Sequence, residues 1–247
     1  MLRKIVIVDA MLIALMLVPN LALGDPLDQA DTLFQLGGLD NYRQAITIYE
    51  TLLAQHPDDF DLNWKCARAY REYGETAKKQ AVEDWKHICA ETGKKGMAYA
   101  GKARAIRPDH PAGHYYYGLC VGIYSDGTSI LTALKEGLKD KTQRSFEKAY
   151  ELDKMYQEAG SILALGRFWA VLPWPLYNKK KSLAYYREYQ QTPFFQQRAE
   201  GKVYLAELLI AIGGEANQME AKQILEAAIK TDDLYYKAWA QRLMAKK

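Results

Sequence analysis

The feature that most constrains this chain is internal similarity at a period of about 34 residues. Five segments share one pattern, in which small residues and a large side chain lie three or four positions apart on a helix; the large side chain is a ring in the first four segments and Leu225 in the last. The small residue lets two helices approach closely, and the ring fills the adjoining hole. These segments are residues 41–57, 95–108, 142–153, 182–189 and 221–233. The pattern predicts an all-α chain of stacked helix pairs, because one amphipathic pair cannot bury its apolar face alone.

Helices with a complementary pattern precede several of these segments, at residues 60–74, 111–124 and 159–169. The paired helices resemble tetratricopeptide repeats, whose pattern runs through an aromatic residue, Leu-Gly, Tyr, Ala, a second aromatic residue, Ala and Pro. The resemblance covers roughly residues 28–245. It implies a right-handed superhelix of about five helix pairs with inserted helices and a concave inner face.

The spacing of the repeats is irregular, which predicts insertions. Pro57 and Pro108, which close successive repeats, lie 51 residues apart, so an extra helix is expected within residues 76–92. A second, short inserted helix is expected within residues 125–141, and prolines break the next pair within residues 170–181.

With these insertions, the stretch from His114 to Tyr189 resembles two related groups. Its motifs are the ELD of residues 151–153 and the LGRFWAVLPW of residues 165–174. One group is the repeat domain of regulators of microtubule dynamics, and the other is the periplasmic T-component of bacterial TRAP transporters. The second resemblance implies a small apolar ligand held in a pocket and association with a transporter.

The end of the array needs a polar cap, because the last repeat has no neighbour to cover its apolar face. Residues 234–247 are expected to form this capping helix, with Leu234, Trp239 and Leu243 against the final pair.

The N-terminal residues 1–24 have the pattern of a secretory signal peptide, with a basic start and cleavage before Asp25. Their apolar run, residues 10–18, is shorter than the roughly 20 residues of a membrane-spanning helix. An uncleaved anchor over residues 5–23 is the alternative. We therefore predict one helical-repeat domain over residues 25–247, exported to the periplasm of a bacterium and anchored to the inner membrane only in the alternative. Export does not favour a microtubule role.

The sequence contains no motif for a catalytic nucleophile, a P-loop or a zinc protease. A non-enzymatic protein without a cofactor is therefore expected. The 33 basic and 30 acidic residues are too balanced to indicate a nucleic-acid partner. His110 and His114 have a spacing that suits a metal, but Pro111 starts the helix between them, so no metal site is expected. The three cysteines are expected to be small core residues, with a Cys66–Cys89 disulfide left open.

The candidate binding surface is the inner face, because the first helix of each tetratricopeptide pair lines the concave side. The residues predicted to face it are Trp64, Arg68, Arg71, Tyr115, Leu119 and Arg167. Guanidiniums and rings on one surface can clamp a carboxylate while stacking on its apolar part. In the alternative, the rings pack against inserted helices and the arginines pair with Glu72, Glu75 or Glu158.

An aromatic segment stiffened by two prolines is expected to roof the concave face, through Phe168, Trp169, Trp174 and Tyr177. The basic run Lys179 to Lys181 beside it is interpreted as a solvated start of a helix, with a nucleic-acid or membrane-surface patch as the alternative. The leading hypothesis is a protein or peptide partner on the concave face, which includes a transporter subunit. The alternative is a small apolar ligand, which predicts a closed apolar cavity of ~300–1,000 Å³.

Overall fold

The computed structural model describes residues 25–245, apart from the side chain of Ile130. These residues form thirteen helices and no strand. The helices are α1 (Pro26–Leu36), α2 (Leu39–Gln55), α3 (Phe60–Lys79), α4 (Trp85–Ile106), α5 (Pro111–Gly127), α6 (Ile130–Lys135), α7 (Leu138–Leu152), α8 (Tyr156–Val171), α9 (Lys179–Gln190), α10 (Phe194–Gln197), α11 (Ala199–Ile212), α12 (Glu215–Ala228) and α13 (Leu234–Ala245).

The helices pack as five antiparallel pairs in chain order, which confirms the expected all-α superhelical array. The pairs are α1 with α2, α3 with α4, α5 with α7, α8 with α9, and α11 with α12. Helices α6 and α10 are short insertions, and α13 packs against α11 and α12.

The core between pairs is built from the small residues and rings of the repeat pattern. Ala45, Ala100 and Ala149 are fully buried, and so are the rings of Tyr49 and Tyr186. The packing is close enough that a Cβ atom added to Gly166 of α8 would lie 2.4 Å from the ring of Tyr186 on α9. Only a glycine lets these two helices approach to this distance.

One expected insertion is present and one is absent. Helix α6 is the short helix expected within residues 125–141. The extra helix expected within residues 76–92 is wrong, because the surplus residues lengthen α3 and α4 to 20 and 22 residues. Extra residues between two repeats can be accommodated by adding turns to both helices of one pair. The spacing between the prolines that end successive repeats is the same whether the helices are longer or an extra helix is inserted.

The capping helix is present, but its buried face differs from the expectation. Leu243 is buried as expected, whereas Leu234 is 76% exposed and Trp239 is only partly buried. Tyr236 and Ala240 are buried instead. Tyr236 is buried because α13 contacts both α3 and α11: the ammonium group of Lys79 lies 5.0 Å from its ring centroid, and the ring centroid of Tyr204 lies 6.1 Å from it.

The three cysteines are buried and unpaired, as expected for small core residues. Helix α5 begins at Pro111, and His110 precedes it as the N-cap whose ring nitrogen accepts from the backbone N–H of Ala112. Across the helices of residues 25–245, none is both long and apolar enough to span a bilayer. The predicted signal segment, residues 1–24, lies outside the described residues.

Candidate functional site

The first helices of the pairs surround a central cavity of about 1280 Å³. Its wall comes from α1, α3, α5, α8 and α11, and α13 completes it on the side of the last pair. Helices α6 and α7 and the connection after α8 also line it. The cavity is therefore the concave face of the superhelix, as the repeat pattern predicts.

The lining residues of each inner helix recur three and four positions apart. Because an α-helix has 3.6 residues per turn, this spacing places their side chains on one face. On α3 the stripe consists of Arg68, Arg71, Glu72, Glu75 and Lys78. Six of the ten residues predicted from the sequence line the cavity, namely Arg68, Arg71, Tyr115, Leu119, Arg167 and Phe168.

Two predicted tryptophans pack within the protein instead of facing the cavity. The ring of Trp64 stacks on Tyr116 at 5.7 Å between centroids, and its indole N–H donates to Asp61. Trp169 is buried beside Phe168. Phe168 lines the cavity, and Trp169, which points about 100° away from it around α8, packs into the protein instead.

The expected roof is formed by other residues of the same connection. Leu172, Pro173 and Leu176 line the cavity. Trp174 is 80% exposed, and Tyr177 lines a smaller outer pocket of about 410 Å³ between α8 and α11. The connection turns back after α8 and presents alternate side chains to the cavity and to solvent, and composition alone does not reveal which side chains face inward.

Arg68 lies flat between aromatic rings near the N-terminal rim of the cavity. Its guanidinium carbon is 3.7 Å from the ring centroid of Phe34 and 5.0 Å from that of Trp64. A guanidinium terminal nitrogen lies 3.9 Å from the carboxylate of Asp31 on α1. These contacts hold the charge of Arg68 against the first helix pair.

Arg71 lies deeper, with a side chain only 19% exposed. Its guanidinium donates to the Oε1 atom of Glu72 at 2.6 Å. Burial by itself lowers the pKa of Arg71, but Glu72, Glu75 and Glu200 raise it well above its ordinary value. Since Glu200 belongs to α11, the charges of the second and fifth repeats act on each other across the cavity.

Arg167 of α8 pairs with Glu207 of α11 at 2.6 Å. Its guanidinium carbon also lies 4.5 Å from the ring centroid of Tyr204 and 5.2 Å from that of Trp239. Each of the three predicted arginines thus has a carboxylate of the same chain within 4 Å. The alternative interpretation was that these arginines pair with Glu72, Glu75 or Glu158, and the Arg71–Glu72 pair is the one of these that is present.

Sequence reasoning missed the contribution of the last repeat. Arg198 bridges Glu158 of α8 at 3.0 Å and Glu200 at 2.8 Å, and the hydroxyl of Tyr204 donates to Glu200 at 3.1 Å. Trp239 of α13 lines the cavity as well. The sequence feature that could have identified these residues is the four-residue spacing of Glu200 and Tyr204, which places both side chains on the same face of α11, the first helix of the fifth pair.

Burial raises the pKa of both Tyr115 and Tyr204 well above its ordinary value. Both phenols stay protonated at neutral pH, and the hydroxyl proton of Tyr204 is donated to Glu200. Among residues 25–245 no three His, Cys, Asp or Glu side chains form a group that could hold a metal ion.

The superhelix curls until its last helix meets its second pair. The ammonium group of Lys79 on α3 lies 5.2 Å and 5.0 Å from the ring centroids of Tyr235 and Tyr236 on α13. Glu75 of α3 also contributes to the raised pKa of Tyr236, after burial, Glu200 and Tyr204. The concave face is therefore a cavity ringed by helices from the first pair to α13, and it stays open to solvent.

Comparison with known proteins agrees with this architecture. The family model of the regulator of microtubule dynamics proteins 1–3 matches residues 26–192. The thermophilic TPR protein TTC0263 of Thermus thermophilus superposes with a TM-score of 0.65 at 17% identity, covering 89% of this chain and 97% of that protein. YrrB, a TPR protein with an unusual peptide-binding site, gives a TM-score of 0.42 at 14% identity, covering 87% and 90%. No curated protein sequence matches the chain.

Proposed function

The chain belongs to the regulator of microtubule dynamics 1–3 family, and we propose that it is a non-enzymatic binding protein whose ringed concave cavity takes up an extended segment of a partner protein. Tetratricopeptide-like folds are in general scaffolds that bind proteins or peptides. The observation that carries the proposal is the cavity of about 1280 Å³ that the inner helices line and that stays open to solvent. This volume exceeds the ~300–1,000 Å³ of ordinary small-molecule sites.

The chemistry of the lining favours a peptide over a small apolar ligand. The wall carries six cationic and five anionic side chains, namely Arg68, Arg71, Lys78, Lys139, Arg167 and Arg198, and Glu72, Glu75, Asp126, Glu158 and Glu200. An apolar molecule would strip water from these charges without replacing its hydrogen bonds, which costs free energy. A peptide supplies N–H and C=O groups along its whole length, and its side chains can stack on the aromatic residues of the wall.

Gly122 provides a way to test occupancy without removing a contact. It lies on α5 and lines the cavity, and a Cβ atom added there meets nothing within 4 Å. Gly122→Leu is therefore expected to fill part of the cavity while leaving the fold intact. Gly101→Leu on α4 is the matched control, because an added Cβ there meets only the ring of Tyr117, at 3.9 Å, and Gly101 lies outside the cavity.

Peptides selected on the full chain from a displayed random library are the probe. We expect them to bind Gly101→Leu like the unchanged protein and Gly122→Leu at least about tenfold more weakly, a loss of about 1.4 kcal/mol. Circular dichroism checks that both variants keep their helicity. Equal binding by Gly122→Leu, or no peptide selected above background, would contradict the proposal.

Native mass spectrometry of the purified full chain separates the two ligand classes. A retained polypeptide supports the proposal. A retained small apolar molecule would support the alternative, in which the chain carries a ligand for a transporter of the TRAP type. Association with a transporter subunit, which the T-component resemblance implies, stays a prediction.

Export to the periplasm is part of the proposal and rests on the pattern of residues 1–24. N-terminal sequencing of the protein recovered from its own cells tests it. A mature chain that begins at Asp25 supports cleavage, and a chain that begins at Met1 supports a retained anchor.

A further inference from the structure

An apolar and basic surface lies on the outer side of the connection between α8 and α9. Trp174 and Tyr177 are exposed there, and Val171 is exposed at its inner edge, where it also lines the central cavity. Trp174 is the most exposed large apolar side chain in the described part of the chain. A tryptophan that is 80% exposed leaves a large ring in water, and exposed apolar clusters of this kind mark contact surfaces. The inward side of the same connection lines the central cavity, so this surface lies at the rim of the cavity.

The connection is held in one conformation by its own hydrogen bonds. The backbone N–H of Leu176 donates to the carbonyl oxygen of Pro173 at 2.7 Å, and that of Asn178 donates to Trp169 at 2.9 Å. The side chain of Asn178 then caps α9 by accepting from the N–H of Lys181. The backbone that carries the exposed rings of Trp174 and Tyr177 is therefore fixed by hydrogen bonds.

Cations follow the exposed rings directly, without acidic neighbours in the sequence. Residues 159–187 contain no Asp or Glu. Within residues 25–245, no carboxylate lies within ion-pair distance of Lys179, Lys180 or Lys181. The ammonium group of Lys179 donates to the carbonyl oxygen of Ala211 at 2.5 Å, which places the end of α11 beside this basic run.

This combination matches the chemistry of an anionic bilayer surface. Tryptophan and tyrosine favour the interface between headgroups and acyl chains, and lysines beside them attract anionic headgroups. We propose that the outer surface formed by Val171, Trp174, Tyr177 and Lys179 to Lys181 docks on an anionic lipid bilayer. Docking there places the rim of the cavity against the membrane.

Quenching of tryptophan fluorescence tests the proposal in the full chain. The probe is a vesicle of phosphatidylcholine and phosphatidylserine with brominated acyl chains, which quench only indoles that enter the bilayer. We expect quenching of the unchanged protein and its loss in Trp174→Phe, although four of the five tryptophans remain. Because quenching reports the position of the Trp174 ring, binding through residues 1–24 cannot imitate it.

The basic run is tested by Lys180→Gln with Lys181→Gln, which leaves the contact of Lys179 with α11 in place. A lysine near an anionic surface contributes about a fivefold factor, so we expect half-maximal quenching to need about thirtyfold more lipid. The matched control is Lys222→Gln with Lys230→Gln, two exposed lysines of α12 and the turn after it, and it should leave quenching unchanged.

Two results would overturn the proposal. One is fluorescence of the unchanged protein that is equal on brominated and plain vesicles. The other is undiminished quenching in the Lys180 and Lys181 variant. A protein captured only when Trp174 is present, together with no quenching, would assign the surface to a protein partner.

Discussion

Replacing Glu75 by Gln removes the carboxylate that holds three cations together on the inner face of α3. Its oxygens lie 3.2 Å from the ammonium nitrogen of Lys78 and 3.7 Å from that of Lys79. Burial by itself raises the pKa of Glu75, but Arg71, Lys78 and Lys79 lower it to about 2 from the ordinary 4.5. The unfolded chain therefore binds this proton more tightly than the folded protein does, so the ionised carboxylate stabilises the fold.

The size of this effect follows from the two pKa values. The difference between 4.5 and about 2 corresponds to about 3 kcal/mol of unfolding free energy at neutral pH. This contribution is fully present above pH 4.5, falls to about 1 kcal/mol near pH 3, and is nearly lost at about pH 2. Glu75→Gln is therefore expected to lower the unfolding free energy by about 3 kcal/mol at pH 7 and by about 1 kcal/mol at pH 3.

Urea unfolding followed by circular dichroism, repeated at several pH values, measures this difference. Glu151→Gln is the matched control, because Glu151 pairs with Lys148 but is 64% exposed. An exposed pair contributes about 0–1 kcal/mol, so the control should lose little stability at any pH. The reasoning is refuted if Glu75→Gln loses less than about 1 kcal/mol at pH 7, or if its loss is the same at pH 3 as at pH 7.

Two further predictions follow from the packing of the core. Gly166→Ala should cost about 1–3 kcal/mol in urea unfolding, because its Cβ atom would lie 2.4 Å from the buried ring of Tyr186, whereas Gly101→Ala should cost nothing and can gain up to about 1 kcal/mol of helix propensity. The three cysteines should react with a thiol reagent only after unfolding, since burial raises the pKa of Cys89 to about 11 and that of Cys120 to about 12. Rapid labelling of the native protein would contradict the second prediction.

The fold was predictable from the sequence because it depends on residue patterns within single helices and between neighbouring helices. A small residue and a large apolar side chain at helical spacing define one face of each closing helix, and the period between these segments indicates which helices pair. Arg68, Arg71, Tyr115 and Leu119 could be placed on the inner face by the same spacing, since the direction of a side chain on a helix follows from its position alone.

The composition of the cavity depends on contacts that spacing does not encode. Each helix pair is rotated relative to the pair before it, and these rotations together determine whether α13 reaches Lys79 on α3. The added turns of α3 also affect whether this contact forms. Tyr236 of α13 is buried beside this contact, whereas Leu234 is exposed. The sequence did not predict that Arg198 and Glu200 line the cavity, because the two glycines after α11 interrupt the repeat spacing in this region.

The pairing of charges inside the cavity limits what a partner can contribute. Arg71, Arg167 and Arg198 are each held by a carboxylate of the chain, at 2.6 to 3.0 Å. A strongly acidic segment would have to displace these carboxylates and leave Glu72 and Glu200, whose side chains are only 27% and 17% exposed, without a cation, which is costly. A segment of low net charge meets no such penalty, and its backbone N–H groups can donate to the hydroxyl oxygen of Tyr204, whose own proton is donated to Glu200. Affinity for a peptide in this cavity should therefore come from rings and backbone hydrogen bonds, while the paired charges reject segments that carry a large charge of either sign.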